Sequence, residues 1–391
     1  MRIAYLYSFS TYPIRGGNHL HAARLIEGFL RRGHEIITLG DDSVPDATCF
    51  PRTRDGANSL LEAADVLYVR IDGNDLGVDP ILVGLMEASH LPMVWEINAP
   101  ANERLAFSFL GGDRGPPHGL SRWFDQWRRR FHAWKQMPGI RKEEALRSRI
   151  GREVYAATCV STALERYARQ GLGIPRAVTI PNAGDPDRQT PDGPRADLPP
   201  EFEGTLKVIY AGSPIYPWQG MDTVVDTMRQ CQEAGDPIRF ILLLNQEPAT
   251  DLTMPNTLLR VRVPHEEVQA YLRASDVGLV IYRDYPWSPW GFHGSPMKLF
   301  EYWACGRPVV ATEVGQLAEI VAPGLNGALC QNTADSLRAT LLQLAEDRDH
   351  VLQMGRNARR QVEEEYNWDH VVHRTLELLD DAVRQKRRTR P

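Results

Sequence analysis

What is scarce in this chain narrows the field first. Cysteine is scarce: Cys49, Cys159, Cys231, Cys305 and Cys330 are the only five in 391 residues, odd in number and widely spaced. No CxxC pair or Cys/His cluster occurs, which argues against a disulfide framework and against a structural zinc site. Positive charge is not in excess, since 45 Lys and Arg face 50 Asp and Glu for a formal net charge of −5. A general binder of nucleic-acid phosphates is therefore not expected. No run of roughly 18 apolar residues occurs, so no membrane-spanning helix is expected. The opening MRIAYLYSFS has too short an apolar run for a secretory leader and reads as a strand. The expectation from these absences is a soluble, cytoplasmic protein, long enough for two domains with separate cores.

The densest signal lies at Gly294–Ala311, GSPMKLFEYWACGRPVVA. An exposed turn, Gly294-Ser295-Pro296, leads into an apolar-periodic helix (Leu299, Phe300, Tyr302, Trp303, Ala304) that stops at Gly306. Arg307-Pro308 then feeds the β-branched strand Val309-Val310. A Gly/Ser loop entering a helix is an anion site, because unpaired N–H groups and the helix dipole point at one spot. Lys298 adds a full positive charge in the first turn. Glu301, one turn on, offers a carboxylate suited to two ribose hydroxyls. Phosphate donors beside a diol acceptor make a nucleotide grip.

Ile3–Tyr7 reads as a strand, Ser8–Arg15 as a loop, Gly16-Gly17 as the opening of helix Asn18–Arg32, and His34–Leu39 as a second strand. This is a βαβ unit, so a parallel α/β sheet follows. Ala64–Ile71 and Met93–Ile97 extend it. Asn98, at the carboxyl end of the latter, points into the crevice where such sheets bind ligands, unless Asn-Ala-Pro is merely a turn. A helix is predicted over Glu143–Ala157, then short strands over Thr158–Ser161 and Ala177–Ile180. Pro186–Pro200, with five prolines, is a linker. Asp185-Pro186-Asp187 matches a DxD metal motif, but its proline-rich setting favours a turn, and no catalytic metal is expected. A second strand–glycine loop–helix follows: Leu206–Tyr210, then Ala211–Gly220, then a helix with Met221, Val224, Val225 and Met228 on one face. This is again the phosphate-binding half of a mononucleotide fold.

Ser121–Arg149 differs in composition. Trp123, Phe124, Trp127, Phe131 and Trp134 interleave with nine Lys and Arg and only three acids. The favoured expectation is an amphipathic helix whose aromatics pack on the first domain. The competing one is a face for an anionic membrane or a large acceptor.

On the S-P-x-K-L-x-E-Y run, the RGHEI after the first helix and Pro181–Asp185, the chain resembles the family-4 retaining glycosyltransferases of GT-B fold over nearly its whole length. The resemblance implies an α/β protein of two Rossmann-like domains across a cleft. Residues 1–185 form the acceptor side, 186–204 a linker and 205–368 the nucleotide-sugar side, while 369–391 supply a helix that crosses back to the first domain. It implies a hexosyl- or N-acetylhexosaminyltransferase using a nucleotide-sugar donor, with UDP the commonest choice, and a small or lipid-linked acceptor. Glu301 corresponds to the family's second glutamate, which holds the ribose. His293 stands where the first is usual and would meet the transferred sugar. Ser295, Pro296, Met297, Lys298 and Leu299 would meet the phosphates together with Gly212, Ser213 and Gln219, and Val263 the nucleobase. Gly16, Gly17 and Asn98 would face the reacting centre. Ser213 and Gln219 replace a usual Arg/Lys pair, a loss to be offset by Lys298 or, second, Arg283. That loss also leaves open a binding protein without transfer activity, and a sugar-nucleotide epimerase stands beside it.

Overall fold

The structure, a computed structural model, describes residues 1–14, 16–73, 76–110 and 120–389, with backbone alone at 120–126, 265 and 389. The expectations for Arg15 and for the side chains of Trp123 and Phe124 concern residues outside those described.

Two parallel sheets carry the chain. In the first, β1 (Arg2–Leu6), β2 (Glu35–Leu39), β3 (Thr48–Phe50), β4 (Val66–Ile71), β5 (Met93–Ile97), β6 (Ala156–Cys159) and β7 (Ala177–Thr179) lie in the order β3-β2-β1-β4-β5-β6-β7. In the second, β8 (Leu206–Gly212), β9 (Ile238–Leu244), β10 (Thr257–Val261), β11 (Val277–Val280), β12 (Val309–Thr312) and β13 (Gly327–Cys330) lie in the order β10-β9-β8-β11-β12-β13. Strands such as Val66–Ile71 and Val277–Val280 are buried along their whole length, as expected where helices cover both faces of a parallel sheet. Each sheet has a hydrophobic cluster on either face. In both, strand order reverses beside the first strand, β1 against β4 and β8 against β11. That reversal opens a crevice at the carboxyl ends of those strands.

The last helix, Trp368–Thr389, returns to the first lobe. There Val371, Val372, Leu376 and Leu379 join Ile3, Phe29 and Tyr68. Gly28 permits the close approach, since a Cβ there would lie 2.3 Å from a Val372 methyl. The two chain crossings between lobes run side by side: Gly184 N donates to Tyr366 O at 2.9 Å, and Gly184 bridges to Asn367.

Three expectations are corrected. The helix placed at Glu143–Ala157 is the end of a longer one, Leu120–Gly151, and Ala156-Ala157 already belong to β6. Alanine favours helix locally, but pairing of Val94 with Ala156 and Trp95 with Ala157 in the sheet prevails. The Gly294–Pro296 turn is not exposed: Ser295 and Pro296 are buried where the lobes meet. Trp127, Phe131 and Trp134 do not pack on the first lobe but face solvent; the helix is held instead by Ala133, Ile140 and Arg147 on its other side.

Candidate active site

The helix at the centre of the site is Met297–Ala304, with Pro296 at its N-cap. Leu299, Phe300, Tyr302 and Trp303 are fully buried in the second lobe, and Lys298 and Glu301 share the flank left over. Leu299 has its side chain in the core, and its N–H donates to Pro296 O at 3.1 Å.

Lys298 reaches back to the glycine loop after β8. Its ammonium lies 4.1 Å from the centroid of the Tyr210 ring, 5.7 Å from that of Tyr282 and 3.4 Å from Gln219 Oε1. Gly212 makes room, since a Cβ there would sit 2.7 Å from the Lys298 nitrogen. Burial lowers the Lys298 pKa to about 7, with Glu301 opposing the shift. Tyr210 OH lies 2.7 Å from Gln219 Oε1 and 3.2 Å from Ser213 O. Among the described residues Ser213 Oγ is buried without a hydrogen-bond partner, a cost in a folded protein unless another molecule supplies the bond. Arg283, the second candidate for offsetting the missing charges, is ion-paired with Asp222.

Glu301 and Met297 line a cavity of about 260 Å³ between the lobes, with Leu20 and Arg24 from helix Gly17–Arg31 and Gln269 from helix His265–Ala274. Gly17 faces Met297 across this seam; a Cβ on it would lie 3.1 Å from Met297 Sδ. Gly16 is the N-cap of the same helix, and its carbonyl accepts from Leu20 N at 3.0 Å. Before half-buried Val263, Arg262 holds a left-handed backbone, φ 56°, rare for a residue with a side chain.

On the first lobe a buried charge cluster sits below Asn98. Glu96 Oε1 accepts from Asn98 Nδ2 at 2.7 Å and from Arg70 Nη1 at 2.7 Å, and lies 3.1 Å from His21 Nε2. Burial favours its neutral form, but His21, Arg70 and Asn98 together outweigh this and hold the carboxyl far below its ordinary value. The cluster continues across the seam. His21 Nδ1 lies 2.5 Å from Asn182 Oδ1, Asn182 Nδ2 donates to Ser295 O at 2.6 Å, and Asn182 N donates to Ser295 Oγ at 3.0 Å. His293 is 1% exposed; its Nε2 lies 3.4 Å from Glu103 Oε1 and its carbonyl accepts from Ser161 Oγ at 2.7 Å.

The structure thus brings Lys298, Gly212, Ser213 and Gln219 together, and sets Gly17 beside Met297. Asn98 and His293 face first-lobe carboxylates. Sequence reasoning missed Arg70, His21 and the tyrosines around Lys298. A signal existed for one pair: Arg70 and Glu96 are single charges inside apolar strand runs, and they lie opposite each other in the β4–β5 register.

Residues 205–347 match the family described as Glycosyl transferases group 1. The chain is 26% identical, over 64% of its length and 68% of the relative's, to a GDP-mannose-dependent phosphatidylinositol monomannoside mannosyltransferase of Corynebacterium glutamicum. It is 24% identical to the trehalose synthase of Thermococcus litoralis, over 56% of each chain. Among solved structures, the sucrose-phosphate synthase of Thermosynechococcus elongatus superposes with a TM-score of 0.70 at 15% identity, covering 97% of this chain and 98% of that one. Anabaena HepE, in complex with UDP and glucose, superposes at 0.65 with 15% identity, covering 97% and 100%. The architecture is the GT-B fold. Residues 205–347 carry a group 1 glycosyl transferase domain, and the chain is a glycosyltransferase.

Proposed function

We propose that this enzyme transfers a hexosyl or N-acetylhexosaminyl group, with retention and without a metal, from a UDP-sugar to an acceptor hydroxyl. Residues 205–368 bind the donor, 1–185 with 369–391 bind the acceptor, and 186–204 link them. The observation that carries this is Lys298 lodged against Gln219, beside the unpartnered Ser213 hydroxyl. A cation and a hydroxyl donor converge where a helix N-terminus and a glycine loop meet, which suits a diphosphate. HepE, of the same fold, was solved with UDP and with UDP-glucose, and this supports a UDP donor here.

Glu301 holds the ribose, and the backbone at Val263 flanks the base. In transfer, the bond between the sugar's anomeric carbon and the diphosphate breaks while one to the acceptor oxygen forms on the same face. The acceptor proton passes to a departing phosphate oxygen. Lys298 and Ser213 offset the charge that develops on that group, and fixed donors in a closed cleft are worth several kcal/mol, roughly 3 for one such group. Asn98 contacts the acceptor, and His293, beside Glu103 of the first lobe, the transferred sugar. The lipid acceptor named for the Corynebacterium relative supports a lipid-linked acceptor here too.

The test is donor consumption across UDP-, GDP- and TDP-sugars, with and without acceptor and with chelator. Acceptor-dependent consumption of a UDP-sugar in chelator is expected. Preference for GDP-sugars overturns the donor, inhibition by chelator the metal independence, and turnover without acceptor favours an epimerase.

A further inference from the structure

One side of the long helix Leu120–Gly151 is turned away from the rest of the protein. Trp127, Phe131 and Trp134 are 56%, 41% and 68% exposed and recur one helical turn apart. They form a continuous plate: Trp127 stacks on Phe131 at 5.4 Å and 5°, and Phe131 on Trp134 at 5.9 Å and 24°. Lys135 Nζ lies 4.7 Å over the Phe131 ring. Arg130, Arg141 and Lys142 extend the same side and are exposed.

The acids of this helix whose side chains are described, Glu143 and Glu144, point elsewhere. Glu143 is buried, accepting from Gly77 N at 2.6 Å and Arg147 Nε at 2.9 Å. Glu144 accepts from Ala101 N at 3.2 Å and Tyr167 OH at 2.7 Å. From Trp127 to Lys142 the outward side is therefore aromatic and cationic, with no carboxylate among the described side chains. The opposite side is fixed, so the helix cannot roll its rings inward.

The helix that carries this plate borders the cleft. The short helix Ala106–Leu110 is joined to another flank of the same long helix by Ser108 Oγ, 3.2 Å from His132 Nδ1 and from Gln136 Nε2. Its exposed Phe107 and Phe109 reach over to Trp218 at 5.0 Å and Trp287 at 5.4 Å in the second lobe. Rings at headgroup depth with cations beside them describe a helix lying in a membrane interface. Negative lipid headgroups complement this charge.

We propose that this side of helix Leu120–Gly151 seats the enzyme on an anionic bilayer, with the mouth of the cleft at the lipid surface so that an acceptor anchored in the membrane enters from the side. The surface stands on its own geometry and does not depend on the donor assignment.

The test is co-sedimentation of the full chain with vesicles of phosphatidylcholine alone or mixed with phosphatidylglycerol, alongside UDP calorimetry. Binding to the mixed vesicles only, weakened by salt, is expected. Trp127→Ala with Trp134→Ala should lower partitioning at least about tenfold, and Arg141→Glu with Lys142→Glu about 30-fold, at about 1 kcal/mol per surface cation lost. Melting temperature and UDP affinity should hold in both, because these residues are exposed and outside the donor site. No sedimentation above the phosphatidylcholine control, or sedimentation indifferent to both pairs of changes, overturns the proposal. So does a dimer in light scattering that both pairs dissolve, which would assign the plate to a second copy of the chain.

Discussion

Lys298 Nζ lies 3.4 Å from Gln219 Oε1, a side-chain contact that ties the site helix to the glycine loop after β8. Gln219 occupies a place where the family resemblance calls for a lysine, and the ammonium reaches that place from the other element. Tyr210 and Tyr282 wall it from water with their ring faces, which hold a cation weakly. A charge kept in such a pocket serves better as a partner for an incoming anion than as a structural tie.

Replacing Lys298 by Met therefore separates activity from stability. Turnover should fall by about 10²–10³, while the melting temperature at neutral pH holds or rises, because a poorly solvated ammonium is removed. Steady-state rates and thermal unfolding check this. A destabilised variant with near-normal turnover would make Lys298 a structural residue.

The lowered Lys298 pKa gives binding a proton signature. At about pH 8 the free protein carries this amine largely neutral, since its pKa is about 7. A bound diphosphate favours the charged form, so UDP binding should take up close to one proton there and almost none below about pH 6. Calorimetry in buffers of differing ionisation enthalpy reads this number, and Lys298→Met should abolish it.

Glu96 predicts an acid-side effect. Its carboxyl is held well below the ordinary 4.5, so the stability it contributes is fully present above that value and is lost as pH falls below it. Glu96→Gln should flatten this part of the stability curve. Glu96→Ala should cost up to about 3 kcal/mol at neutral pH, since Arg70 loses its nearer carboxylate and keeps Asp72 at 3.6 Å. Urea unfolding across pH measures both.

Glu301 is tested by affinity. Glu301→Ala should weaken UDP binding by about 1.5–3 kcal/mol through lost charge-assisted hydrogen bonds, and should weaken UMP and uridine to the same extent. Loss confined to UDP would place Glu301 at the phosphates.

Much of this was legible in the sequence because it is local. The βαβ order at Ile3–Leu39, the glycine loops and the Lys298/Glu301 spacing each lie within at most three successive elements. Long-range pairing was not legible. Ala156-Ala157 read as helix because their strand partners Val94 and Trp95 are some sixty residues away. The outward phase of Trp127, Phe131 and Trp134 depended on which side of their helix Ala133, Ile140 and Arg147 would anchor. Likewise the tie from Glu96 through His21 and Asn182 to Ser295 joins four separate segments, and no spacing rule announces it.

The most direct measurement is a crystal structure with UDP bound. The account predicts the diphosphate within hydrogen-bond distance of Lys298 Nζ and Ser213 Oγ, with the ribose hydroxyls on Glu301 between the lobes. A nucleotide seated elsewhere, with Lys298 still closed on Gln219, would contradict it.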